Sequence, residues 1–143
     1  MKIKTLLLTV LTTLIQPVIA EEDLYDFGKK LAACSAKFET FSLVYKVSKD
    51  LETAKFFKER SNGWLVGSAV SFMADGINSK IAWSAARGEK ETTETNLTLK
   101  LKSASKSKAG MESFMSELSL DLKECAIYDE YVDIAVKTLR KSI

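Results

Sequence analysis

The stretch LYDFGKKLAACSAKFETFSLVY, Leu24 to Tyr45, carries the strongest helix signal in this chain of 143 residues. Its apolar residues Leu24, Phe27, Leu31, Cys34, Phe38, Phe41 and Tyr45 follow one another at alternating three- and four-residue steps. A 3.6-residue repeat brings all seven to one side, so the segment from Glu22 to about Tyr45 reads as an amphipathic helix with that stripe turned to a core. Glu21, Glu22, Asp23 and Asp26 crowd its start, where the helix dipole favours negative charge.

The same period returns near the C-terminus. Met111, Leu118, Cys125, Val132 and Leu139 recur every seven residues, and Met115, Leu122 and Val136 widen the stripe. A single helix from about Lys108 to Lys141 is expected, with Lys137, Arg140 and Lys141 at its negative end. Cys34 and Cys125 both lie on core-facing stripes, so one disulfide would tie the first helix to the last, as in an antiparallel up-down bundle.

Between these helices the reading is less direct. Ser48-Lys49-Asp50 offers an N-cap for a helix carrying Leu51, Ala54 and Phe57, with Phe56 a further candidate. That helix either ends at Ser61-Asn62-Gly63 or runs on to Met73, so residues 48–77 hold one helix or two. Gly63, Gly67 and Ser71 place small residues at four-residue steps, which lets two helices of a bundle approach closely. Trp64 and Phe72 on the neighbouring stripe are expected in the core; left exposed, they would be the natural anchor for a partner protein. A further helix starts near Asn78 and carries Ile81, Trp83 or Ser84, Ala85, Leu97 and Leu101. TNLTLKLKS, residues 95–103, alternates like a strand, but a lone strand has nothing to pair with and the segment is taken as helix. KSASKSKAG, Lys102 to Gly110, is the expected loop. The fold class is therefore all-α, a small antiparallel bundle of about four helices.

Upstream of the first helix stands a different kind of segment. Lys2 and Lys4 precede an apolar run from Thr5 to Ile15, and Val18-Ile19-Ala20 leads into Glu21-Glu22-Asp23. That layout is a secretory signal peptide, residues 1–20, cut between Ala20 and Glu21. The run is about half the length of the roughly 20 apolar residues a membrane span requires, and Pro17 follows it. Removing those twenty residues from 143 leaves 123, residues 21–143, the size of one helical domain. Taking Lys2 and Lys4 from the 21 basic residues leaves 19 against 19 acidic ones, a formal net charge of zero. A neutral protein has no overall field to gather nucleic acid, and nucleic acid is not an expected partner. The lysine-rich leader points to bacterial export, to the periplasm or the medium, where two cysteines default to a disulfide.

The chain has no histidine, which removes the usual general base and metal ligand near neutral pH. No catalytic residue, metal site or cofactor is expected. Asp129 and Asp133 stand one turn apart beside Glu130, but surface acids on a terminal helix are ordinarily solvated or paired with lysine. Ser103-Ala104-Ser105-Lys106 fits S-x-x-K, without the S-D-N and K-T-G elements that accompany that motif in serine acyl-transfer enzymes. Lys100, Lys102, Lys106 and Lys108 form the basic cluster through which membrane contact would occur. The function expected is an exported binding module, an inhibitor, immunity or accessory protein that acts on another protein. A carboxylate-dependent hydrolase or lyase and a membrane-surface helical protein are the alternatives.

Overall fold

The computed structural model describes residues 23–141; the expected leader and the expected cleavage site between Ala20 and Glu21 lie outside them. The described residues form five helices and no strand: α1 (Leu24–Val47), α2 (Leu51–Ala74), α3 (Ser79–Ala104), α4 (Lys108–Ala126) and α5 (Asp129–Lys141). The all-α class holds. The count of about four is corrected to five, because the expected helix from Lys108 to Lys141 is broken in two.

Capping chemistry sets the starts of the first four helices. Asp23, Asp50, Asn78 and Ser107 each accept a backbone N–H of the following turn, from Tyr25, Thr53, Ile81 and Gly110 respectively. Each such cap is worth about 1 kcal/mol. Between α1 and α2, Asp50 N–H donates to Tyr45 O at 3.0 Å, with Lys49 in the left-handed region at φ 66. Between α2 and α3, Ile77 N–H donates to Phe72 O at 3.1 Å around Gly76, at φ 95. Both are Schellman-type endings, and the second has the glycine that such an ending favours.

Helix α2 runs unbroken through Ser61-Asn62-Gly63, which resolves residues 48–77 in favour of one helix. Residues 95–103 are helical within α3. The loop expected over Lys102 to Gly110 shrinks to Ser105–Ser107, because α3 continues to Ala104 and α4 begins at Lys108.

The break between α4 and α5 falls at Ile127-Tyr128. Tyr128 N–H turns back to Cys125 O at 2.9 Å, and Val132 N–H then takes Tyr128 O at 3.1 Å to open α5. A continuous helix over that span would be about 50 Å long at 1.5 Å per residue, well past the roughly 36 Å of α1. Its apolar stripe would have projected beyond the bundle; the turn folds it back onto α2 instead. Leu118, Cys125 and Val132 stay buried on both sides of the break. The disulfide therefore joins α1 to the penultimate helix, with Cys34 and Cys125 Cα atoms 5.9 Å apart. In the chain-entropy model, closing a loop of about 90 residues contributes on the order of 4–5 kcal/mol.

The core lies in three adjoining parts. Phe27, Leu31, Phe38, Trp64 and Tyr131 surround the disulfide. Ala36, Phe41, Leu97, Phe114 and Leu118 join α1, α3 and α4. Ala69, Phe72, Ala82 and Ala86 join α2 to α3. This last group corrects the expected face of α3: Ala82 and Ala86 are buried while Ile81 is exposed. The alanines let α3 sit close to Phe72, where an isoleucine would hold it away.

A ladder of hydroxyls fixes α1 against α2. Ser42 Oγ donates to Ala54 O, Ser35 Oγ to Ser61 O, Ser68 Oγ to Gly28 O and Ser71 Oγ to Leu24 O, all at 2.7–2.8 Å. As the partner number rises on α2 it falls on α1, which is antiparallel packing. The small residues earn their place sterically too: a Cβ at Gly28 would stand 2.7 Å from the Phe72 ring. The reading of Gly63, Gly67 and Ser71 as a close-approach stripe thus has its structural counterpart, divided between two neighbours of α2.

Candidate functional site

Helix α2 turns its other side to α5, packed closely at Gly67 against Val132 and Tyr131 and open towards Arg60 and Gly63. A groove of about 690 Å³ runs between the two helices, its floor formed by Trp64, Val66, Val132 and Val136. Its sides carry charge. Arg60 of α2 holds Asp129 of α5 by ion pair and stacks over the Phe38 ring at 5.3 Å. Asp133, Lys137 and Arg140 continue the α5 side, with Phe56 and Glu59 opposite on α2. Phe56 is 55% exposed, a large apolar side chain at the rim. Gly63 helps to make the groove: the side chains nearest to it, Val132 and Val136, stand 3.7–3.9 Å from where its Cβ would be.

Deeper in, Tyr131 packs edge-on to Phe27 at 5.0 Å. Burial pushes its hydroxyl pKa above the ordinary tyrosine value. The hydroxyl has no hydrogen-bond partner among the described residues, and the nearby Ser71 hydroxyl donates to Leu24 O instead.

A second polar assembly lies where α1 meets α2 and α3. Glu39 accepts from Lys58 Nζ at 2.6 and 2.7 Å and from Ser61 Oγ at 3.0 Å, and Lys90 Nζ of α3 stands 3.6 Å away. Its side chain is 14% exposed. Burial alone would raise the Glu39 pKa; the Lys58 hydrogen bond, the Lys90 charge and the Ser61 hydroxyl together outweigh it and hold the carboxyl below its usual range. A carboxylate so held stays ionised near neutral pH and makes a poor proton donor. It is a three-helix clasp.

The structure distributes the residues singled out from sequence as follows. Cys34 and Cys125 are bonded and buried, and no free cysteine occurs among the described residues. Trp64 is 1% exposed and Phe72 0%, so both are core. Trp64 packs on Phe38 at 5.5 Å, and Phe72 on Tyr25 at 5.0 Å and over Gly28. The exposure that would have made them partner anchors is absent, and the rim aromatic is Phe56. Asp129 is engaged by Arg60, and Asp133 lies along the groove, one turn on. Among the described residues no group of three or more His, Cys, Asp or Glu side chains converges to hold a metal ion.

In the basic cluster, Lys100 pairs with Glu117 at 2.8 Å and Lys108 approaches Glu112 at 3.9 Å, so acids of α4 offset half of it. Ser105 of the S-x-x-K match donates to Lys102 O, an ordinary helix-end bond. No described helix is long and apolar enough to cross a membrane. Compared with family models, with curated proteins and with solved structures, the chain matches none of them.

Proposed function

We propose that this chain is exported to the periplasm or beyond, loses residues 1–20, and works as a single oxidised helical domain, residues 21–143, that acts by contact with other protein molecules. Inhibitor, immunity and accessory-subunit proteins act in this way. The observation that carries the reading is the α2–α5 groove, an open concavity with an apolar floor and charged sides. Surfaces of that make-up suit protein docking, where apolar anchors supply affinity and flanking charges set register. The buried Cys34–Cys125 bridge supports an oxidising compartment.

Two measurements test this. Mass spectrometry of exported protein gives a chain starting at Glu21 and lighter by two hydrogens than its reduced form; an intact Met1 rules out the leader. Photo-crosslinking residues placed at Phe56, Leu120 and Ile127, all exposed apolar positions, capture a defined protein in the exported fraction, saturably and from at least one position. Failure to crosslink from any of the three removes the contact function.

A further inference from the structure

We infer that α5 is a self-association face, on which a second copy of this chain lies antiparallel and closes the α2–α5 groove. This rests on reading the groove as a contact surface and names its occupant. Asp129, Asp133, Lys137 and Arg140 all border the groove. Their spacing, four, four and three residues, makes one stripe along the helix. The first two are acidic and the last two basic, so the stripe changes sign near its middle.

A two-fold axis crossing α5 between Asp133 and Lys137 sets each residue against its mirror in sequence. Asp133 meets Lys137 of the second copy, and Asp129, which Arg60 of its own chain already holds, falls opposite the neighbouring Arg140 and Lys141 of the second copy. Each contact occurs twice, so one symmetry operation makes four opposite-sign pairs, whereas a parallel copy in the same register makes four like-sign ones. Such self-complementarity is what an isologous interface requires. Among the described residues, Asp133, Lys137 and Arg140 have no ion-pair partner within the chain, in contrast to Lys37, Lys58, Lys90 and Lys100. Val136 and the exposed Phe56 give the pairing apolar area to cover. With a formal charge of zero after the leader is removed, no long-range repulsion opposes association.

The test is sedimentation equilibrium of the oxidised protein at low salt. The wild type has the mass of two chains at about 100 µM, and Asp133→Lys or Lys137→Asp each weakens the dimer about tenfold or more. Combining both changes in one chain restores it, since the pairs re-form with their signs exchanged. Mixing the two single variants gives a heterodimer, one chain carrying two lysines and the other two aspartates at the crossing. Circular dichroism melts of each variant establish that the fold is intact. A wild type of single-chain mass at about 100 µM overturns the inference, as does a dimer that neither reversal weakens or that the exchange fails to restore. A monomer whose Phe56 crosslinker captures a foreign protein overturns the second copy and keeps the contact function; a monomer that captures nothing from any position removes both.

Discussion

Against α1, helix α2 sets Ser61, Ser68 and Ser71; against α5 it sets Arg60, Gly63 and the edge of Trp64. On the first side the hydroxyls bond across the seam to α1 or receive its hydroxyl bonds, and Gly28 admits the Phe72 ring with no room to spare. On the second side a Cβ at Gly67 would press Val132 at 3.2 Å, whereas one at Gly63 would meet Val132 and Val136 at an ordinary contact distance of 3.7–3.9 Å, and beyond Gly63 the helices open into a groove. Small residues permit close approach without enforcing it. Closure comes where a partner donates or accepts at the same level, as Ser35 and Ser61 do. One helix thus builds a bonded seam along one face and leaves only the Arg60–Gly63 stretch of the other open.

The largest expected effect concerns the staple that the closed side shares with α4. Cys34→Ser, which opens a loop spanning 91 residues of separation, is expected to remove on the order of 4 kcal/mol and to lower the thermal midpoint steeply. An unchanged melting curve would show that the hydroxyl seam alone holds the bundle. Next come paired glycine substitutions, which set the two faces directly against each other. Gly28→Ala forces the Phe72 ring aside and is expected to destabilise by about 2 kcal/mol, within the range for overpacking. Gly63→Ala finds space and gains helix propensity, stabilising by up to about 1 kcal/mol. Opposite signs in the two melts sustain the comparison; the same sign in both breaks it.

Much of the closed side could be read in the sequence, because it is built from local periodicity. The α1 stripe, the bridged cysteines, the cap at Ser48-Lys49-Asp50 and the helix start near Asn78 follow from spacing and side-chain type alone. The rest depends on what comes from elsewhere in the chain. Ser35, Ser42 and Ser68 stand outside the apolar stripes, and their burial depends on carbonyls of the opposite helix that accept their hydroxyls. The α4–α5 break contains neither glycine nor proline, and the seven-residue apolar repeat continues in phase across it, so the pattern gave no sign of a turn. Ile81 outranks Ala82 in hydrophobicity, yet close packing on Phe72 selects the alanine. The groove, with Phe56 at its rim, exists only because α5 folds back, and that was hidden with the break.

The smallest effect is a change in how stability depends on pH, and it sharpens the comparison by asking what the clasp adds to the closed side. Glu39 reaches Lys58 and Ser61 of α2 and Lys90 of α3, so it ties to α1 both of the helices nearest it. Burial disfavours its charge, but the two lysines and the serine more than compensate, and its folded pKa lies below the ordinary value of 4.5. A depressed folded pKa means that the unfolded chain binds the proton more readily. The clasp therefore contributes stability above about pH 4.5 and loses it as the pH falls through the lower folded value. Glu39→Gln cannot titrate, so the difference in stability between wild type and variant is expected to be constant near neutral pH and to shrink on acidification. Every other carboxylate is common to both proteins and cancels in that difference. Ser61→Ala, which keeps the carboxylate and removes one donor, is expected to fall between the two. Urea midpoints taken from pH 7 to pH 3 read this directly. A difference that stays level down to pH 3 would mean that the lysines hold Glu39 through solvent and that the hydroxyl ladder closes the seam unaided.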